Sequence, residues 1–257
     1  MSEDVRALPV YAAGAIEVPF VIEGFDERVD RETRWAEHSH PTHELLWNER
    51  GISRVSVGQR TWTISTALGL WIPAGVLHSG VASAGTWYRT SHFGVDSVES
   101  ISSRPAAVEV TPLLRQLLDR LSDATLSPRS RSVTEAVVLD VLAPSHRELF
   151  VQVPESALLA PIVSAVQEDP GAVPSLSSWA ERLGVSTRTI TRAFRAETGV
   201  GFLGWIATVR AQRAVDLLSR GEAVEEVSAE LGYSSPSAFG AAFRRTTGFT
   251  PSAFRSR

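Results

Sequence analysis

The stretch Ser175-Leu-Ser-Ser-Trp-Ala-Glu-Arg-Leu-Gly184-Val-Ser186-Thr-Arg-Thr-Ile-Thr-Arg-Ala-Phe194-Arg195 decides the reading of this chain. Apolar Leu176, Trp179, Ala180 and Leu183 fall on one helical face, and Gly184 suits the left-handed conformation that ends a helix. Ser186 caps a second helix that Ile190 and Phe194 anchor inward. This is the sequence form of a helix-turn-helix, which lays its second helix in the DNA major groove. The same design returns about fifty residues later. There Val224, Val227, Leu231 and Tyr233 form the first apolar face and Gly232 the break. Ser235 is the cap, Pro236 takes the first helical position, and Phe239 and Phe243 are the anchors.

Between the copies, Phe202 to Ser219 reads as one long amphipathic helix, a rigid strut joining the two units. Upstream, Ala157 to Gln167 reads as a helix with Leu158, Leu159, Ile162, Val163 and Val166 buried, stopped by Asp169-Pro-Gly171. Thr250-Pro251-Ser-Ala-Phe254 is a final capped turn that packs Phe254 back. On the first recognition helix Thr187, Arg188, Thr191, Arg192 and Arg195 face outward, with donors that reach guanine, phosphate or the thymine methyl. The second offers Ser237, Ala238, Gly240, Ala241 and Arg244, a small surface poor in donors. The two copies are therefore expected to read DNA unequally.

Bulk properties fit this but do not lead to it. At 257 residues, 43% apolar and 21% charged, the chain is globular and long enough for two domains. Residues 1–153 carry 14 Arg against 19 acidic residues, and residues 154–257 carry 11 against 10, so charge alone does not announce a DNA partner. All 25 basic residues are Arg, which a GC-rich genome accounts for without any binding role. There is no Cys, hence no disulfide or thiolate ligand. No apolar run approaches the ~20 residues of a membrane span, and the acidic start Met1-Ser-Glu-Asp has no apolar core behind it. A cytoplasmic protein with no membrane partner is expected.

The N-terminal part reads as many short strands at Gly/Pro spacing, the pattern of a small β-barrel or jelly roll. Its informative stretch is Trp35-Ala-Glu-His38-Ser-His40-Pro-Thr-His43-Glu44-Leu-Leu-Trp47. Two His at i and i+2 share a strand face, Glu44 rejoins that face after a bend, and His43 faces away. Ile52–Val57 and Arg60–Ile64 form a pair of strands around Gly58-Gln59, and Leu68–Ile72 is a buried strand. The turn Pro73-Ala-Gly75-Val-Leu-His78 then presents a third His. Trp35, Trp47, Trp62, Trp71 and Trp87 either line the barrel for a small apolar or aromatic effector or fill its core. His92 and His146 read as isolated polar residues with no assigned role.

These residues resemble the cupin family over roughly residues 15–95. His38, His40, Glu44 and Gly51 keep the spacing of its first motif, and Pro73, Gly75 and His78 that of its second. Glu32 and Ala82 stand where the family has a turn Gly and an Asn. The resemblance implies that His38, His40, Glu44 and His78 hold one divalent transition metal, with Zn, Fe, Mn, Ni and Cu not distinguished. The residues by themselves equally suit pocket-lining hydrogen-bonding groups around an organic effector.

In the middle, Thr111 caps and Pro112 opens a helix of Leu113, Leu114, Leu117, Leu118 and Leu121. A turn at Ser127-Pro128 precedes a second helix from Val133 to Leu142, with Val133, Val137, Val138 and Val141 on one side. This pair serves either as a dimer face or as a cover on its own barrel. Phe150-Val-Gln-Val-Pro154 reads as a linker.

The C-terminal segments Ala207–Leu218, Val227–Phe239 and Phe243–Pro251 resemble the AraC/XylS family of bacterial transcription regulators, from about Leu158 to Arg255. The whole layout resembles that family too. The fold expected is α+β: a cupin-like barrel over 1–105, a helical pair and linker over 106–153, and an all-α domain with two helix-turn-helix units over 154–257. The resemblance implies contact with double-stranded promoter DNA through Ser186, Thr187, Arg188, Thr191, Arg192 and Arg195 and, in the second unit, Ser235, Pro236, Ser237, Ala241 and Arg244. It also implies a homodimer, a small-molecule or metal effector, and RNA polymerase as a further partner. The competing reading, a metal-dependent cupin enzyme, leaves the DNA-binding half without a purpose. A dimeric regulator whose barrel takes no ligand is the third.

Overall fold

A computed structural model of the chain describes residues 4–255. By contacts it divides into two compact units: residues up to Gly58 with Trp62–Glu148, and Gln59–Thr61 with residues from Leu149 onward. The first is built from strands β1 (Asp4–Arg6), β2 (Ile22–Arg28), β3 (Thr33–His38), β4 (His43–Arg50), β5 (Ser53–Val57), β6 (Arg60–Ile64), β7 (Leu68–Ile72), β8 (His78–Ala82), β9 (Trp87–Phe93) and β10 (Ala106–Glu109). Helices α1 (Pro112–Leu121) and α2 (Pro128–Val141) follow.

The strands form two sheets. One contains the run β1-β3-β8-β5-β6, and the other has the order β10-β7-β4-β9-β2. Strand period 2 gives the second sheet two different faces. On β4, Glu44 and Leu46 point into a cavity, while Leu45 and Trp47 point out into a core with Trp71 and Phe93. Helices α1 and α2 cover that outer core with Leu114, Leu118, Leu121 and Val138. A polar cluster pins α1 to the barrel. Arg89 of β9 pairs with Asp119 and donates to Ser122 Oγ (3.1 Å), and Arg115 pairs with Glu49 of β4. The helical pair therefore packs on its own barrel, leaving Leu113, Val133 and Val137 exposed.

Three local expectations change. Ser127-Pro128 is not a turn before α2 but its cap and first residue: Ser127 Oγ accepts from the Ser130 N–H, and Pro lacks only an N–H that is unpaired there anyway. The longer helix buries Thr134, Glu135 and Val138 and exposes Val133 and Val137, reversing part of the expected face. Residues 106–109, placed with the helical segment from sequence, form β10, paired with β7 in the barrel sheet.

The second unit contains a short strand β11 (Phe150–Gln152) and helices α3 (Ala160–Glu168), α4 (Leu176–Leu183), α5 (Thr187–Thr198), α6 (Phe202–Ser219), α7 (Val224–Glu230) and α8 (Pro236–Thr247). A single 3-10 turn, Pro251–Phe254, follows. The stretch read as a linker is β11: Val151 is buried in this unit's core, and the Trp205 Nε1–H donates to the Gln152 carbonyl (2.8 Å). Helix α3 starts at Ala160, not Ala157, because Pro161 fits only the first helical turn. Helix α6 runs about 27 Å at 1.5 Å per residue and packs against α3, α5, α7 and α8.

Candidate functional site

The barrel cavity, of about 520 Å³, gathers side chains far apart in sequence. Strands β3 and β8 are antiparallel and bring His38 opposite His78. Between the Trp35↔Gly80 and His38↔His78 pairs, β3 carries one extra residue. That bulge lets Trp35 and His38, which strict alternation would place on opposite faces, both line the cavity. The turn before β8 is tied to His40: the Gly75 N–H donates to the His40 carbonyl (2.9 Å). Gly75 has φ +76, and a Cβ there would stand 2.9 Å from the Ala13 nitrogen, so only glycine fits.

His38, His40 and His78 have one ligand atom each within 4.8 Å of one another. The Nδ1–H groups of His38 and His78 donate to the Ala36 and Val76 carbonyls at 2.7 and 2.9 Å. That fixes the tautomer and leaves both Nε2 lone pairs free. Glu44 Oε2 lies 3.5 Å from Nε2 of both His40 and His78. It is buried and has no hydrogen-bond partner among the described residues. Burial pushes the Glu44 carboxyl up to about 7. Burial also holds the imidazoles uncharged: His40 falls to about 3, with neighbouring His92, His78 and His38 adding to the effect, and His78 to about 4. Neutral imidazoles and a carboxylate oxygen without a partner make a donor set that fits a divalent transition metal.

His43 faces away, as expected. Its Nδ1 accepts from the Ala74 N–H (2.9 Å), and its ring packs on Trp71. Trp47, Trp62 and Trp71 are core residues, whereas Trp35 lines the cavity against Tyr88 (ring centroids 5.2 Å apart). The residue missed from sequence is His92. It lines the cavity with its ring 5.0 Å from that of His40. Thr90-x-His92 on a strand was the available signal, but only the register Glu44↔His92 puts it beside the other three.

In the second unit, Ser175 Oγ accepts from the Ser178 N–H, Gly184 takes φ +66, and Ser186 Oγ accepts from the Thr189 N–H. Thr187, Arg188, Arg192 and Arg195 are exposed on α5 and Thr191 is half-buried, while Ile190 and Phe194 are fully buried beneath. The other copy matches part for part: Gly232 has φ +71, Ser235 Oγ accepts from the Ala238 N–H, and Phe239 and Phe243 are buried. Pro236, Ser237, Ala241 and Arg244 are exposed. Ser186 and Ser235 thus spend an oxygen lone pair on capping. Other arginines have structural work: Arg213 pairs with Glu230 (2.9 Å), and Arg210 donates to the Pro170 carbonyl (2.7 Å).

A jelly-roll barrel with a ligand-sized cavity and two helix-turn-helix units define the class: a one-chain DNA-binding regulator. Comparison with known proteins narrows it. Residues 19–139 match the AraC-like ligand binding domain, and residues 179–257 match a helix-turn-helix domain. The HTH-type transcriptional regulator NimR of Escherichia coli K12 is 26% identical over 224 residues, 86% of this chain and 82% of that protein. The regulator RipA of Corynebacterium glutamicum is 36% identical over 121 residues, 45% of this chain but only 37% of RipA. Among solved structures, the DNA-binding domain of AdpA in complex with a target DNA is 36% identical over 39% of this chain and 91% of that one, with a TM-score of 0.36. The chain is an AraC-type transcriptional regulator, with a ligand-binding domain followed by a helix-turn-helix DNA-binding domain.

Among the described residues no helix is long and apolar enough to cross a membrane.

Proposed function

We propose that this regulator reads its operator chiefly through α5 and senses a divalent transition metal, or a small molecule bound with it, in the barrel. Thr187, Arg188, Thr191, Arg192 and Arg195 are the base- and phosphate-contacting set. Ser186, Ser235, Pro236, Ser237, Ala241 and Arg244 hold backbone and register. The metal ligands are His38, His40, His78 and Glu44. When bound, the metal supplies positive charge and open coordination positions for an effector. The observation that carries this is the buried, unpartnered Glu44 Oε2 facing two imidazole Nε2 atoms.

The chain's own residues do the rest. The Ala36 and Val76 carbonyls orient the His38 and His78 imidazoles, and the turn at Gly75 ties the His40 backbone to the segment before β8. The barrel works as a sensor and not as an enzyme. The protein acts in the cytoplasm as a homodimer, joined by the face of Leu113, Val133 and Val137 within residues 106–153, and contacts RNA polymerase at its promoters. Effector binding acts by favouring one of two arrangements of these parts unequally.

The test is metal analysis and native mass spectrometry of the purified full chain. Wild type is expected to carry about one divalent metal, and His40→Ala and His78→Ala to lose it while staying folded by circular dichroism. Wild type refusing Zn, Fe, Mn, Ni, Cu and Co alike overturns the metal reading and leaves the DNA reading untouched.

A further inference from the structure

The four groups assigned to the metal leave a fifth polar group of the cavity unused. His92 sits on β9 directly across from Glu44 of β4, so the two project from adjacent strands on the same face. Its ring stands edge-on to His40, with centroids 5.0 Å apart. It lies outside the cluster of His38, His40 and His78, whose ligand atoms are within 4.8 Å of one another. Thr42 Oγ1 is 3.0 Å from Nδ1, a full hydrogen bond to a buried threonine that holds the ring in place. Among the described residues Nε2 has only Thr90 Oγ1 at 3.5 Å, too long to count as a strong partner. His92 is thus an oriented imidazole with one nitrogen committed to the protein and the other available beside the metal ligands.

Charge narrows what that nitrogen meets. A divalent metal on three neutral imidazoles and one carboxylate keeps one positive charge in a buried space, and a buried charge calls for a counter-charge. Besides Glu44, two acids line the cavity: Asp26 is exposed to solvent, and Glu27 is already engaged, with Arg6 donating to both of its oxygens at 2.7 Å and the Tyr88 hydroxyl donating at 2.6 Å. One is held in water and the other is paired, so neither neutralises the buried site. The remaining walls near the histidines include Trp35, Leu46, Val55 and Val81, which suit an apolar body.

Resting on the metal reading above, we infer that His92 is a specificity-determining residue of the barrel, donating from Nε2 to an oxygen of a monoanionic carboxylate ligand that completes the metal site and lays an aliphatic or aromatic body along Trp35. Thr42 is its positioning residue.

The experiment uses the full chain loaded with Co(II), whose visible spectrum reports its ligands, titrated with benzoate. Benzoate is expected to shift the wild-type spectrum saturably. In His92→Ala the affinity for Co(II) should stay within about threefold, while benzoate binding falls about tenfold or more, the weight of a charge-assisted hydrogen bond. His92→Gln, which keeps a donor, should recover part of that loss. Benzoate bound equally by wild type and His92→Ala, or not bound by the wild-type Co(II) protein, overturns the inference alone. So does loss of Co(II) from His92→Ala on the scale of His40→Ala, which would make His92 a metal ligand. Failure of the wild type to take up Co(II) overturns the metal reading, and this inference with it.

Discussion

The two helix-turn-helix units share a scaffold and differ in what they show to solvent. Each has a serine cap, a left-handed glycine and two residues buried four apart beneath the recognition helix: Ile190 and Phe194 in one, Phe239 and Phe243 in the other. Above that common floor α5 carries three arginines and two threonines, while the matching face of α8 is Ser237, Gly240, Ala241 and Arg244. The difference teaches that folding and reading are written in separate residues, so one can diverge while the other is held. A second contrast lies in the breaks. A Cβ on Gly184 would meet open space, whereas one on Gly232 would collide with the Gly171 carbonyl oxygen. Arg210 donates to that same carbonyl (3.2 Å), so the glycine break of the second unit is pressed against the turn after α3, whereas that of the first faces open space.

Breaking the shared floor has the largest expected effect. Phe194→Ala and Phe243→Ala should each cost about 3–5 kcal/mol of stability, read from the shift of the urea midpoint, because both rings are fully buried. A cost below about 1 kcal/mol for either would mean that the scaffolds are not equivalent. The glycine contrast comes next. Gly184→Ala should cost about 1–2 kcal/mol, the strain of a left-handed residue with a side chain. Gly232→Ala should cost clearly more, since the obstructing atom is backbone and cannot rotate away. Equal losses would remove the claim that the glycine break of the second unit is pressed against the turn after α3. Smallest are the caps: Ser186→Ala and Ser235→Ala should each lose about 1 kcal/mol. Unequal values there would show that one serine carries more than its capping bond.

The units were legible in sequence because every signal in them is local. Caps, the glycine break and large apolar residues four apart are all read within a dozen positions, and α6 came out with its expected limits. The barrel was legible only in part. His38, His40, Glu44 and His78 stood out through spacing, but His92 did not, since its partner is set by cross-strand register. Trp35 reaches the cavity through a bulge that no residue type announces. Ser127-Pro128 and Phe150–Gln152 misled for a related reason. A Ser-Pro pair is both turn and helix start, and a short extended run such as Phe-Val-Gln is both linker and strand until tertiary contacts choose.

The central claim is that α5 specifies sequence and α8 mainly holds register. The direct measurement is operator binding by fluorescence anisotropy, using duplexes enriched from a random pool by the wild-type chain. Arg188→Ala with Arg192→Ala should lose about 1–3 kcal/mol of discrimination per base-reading arginine, and Ser237→Ala with Arg244→Ala should weaken all sequences alike. If the α8 pair relaxes sequence preference and the α5 pair leaves it intact, the account is contradicted.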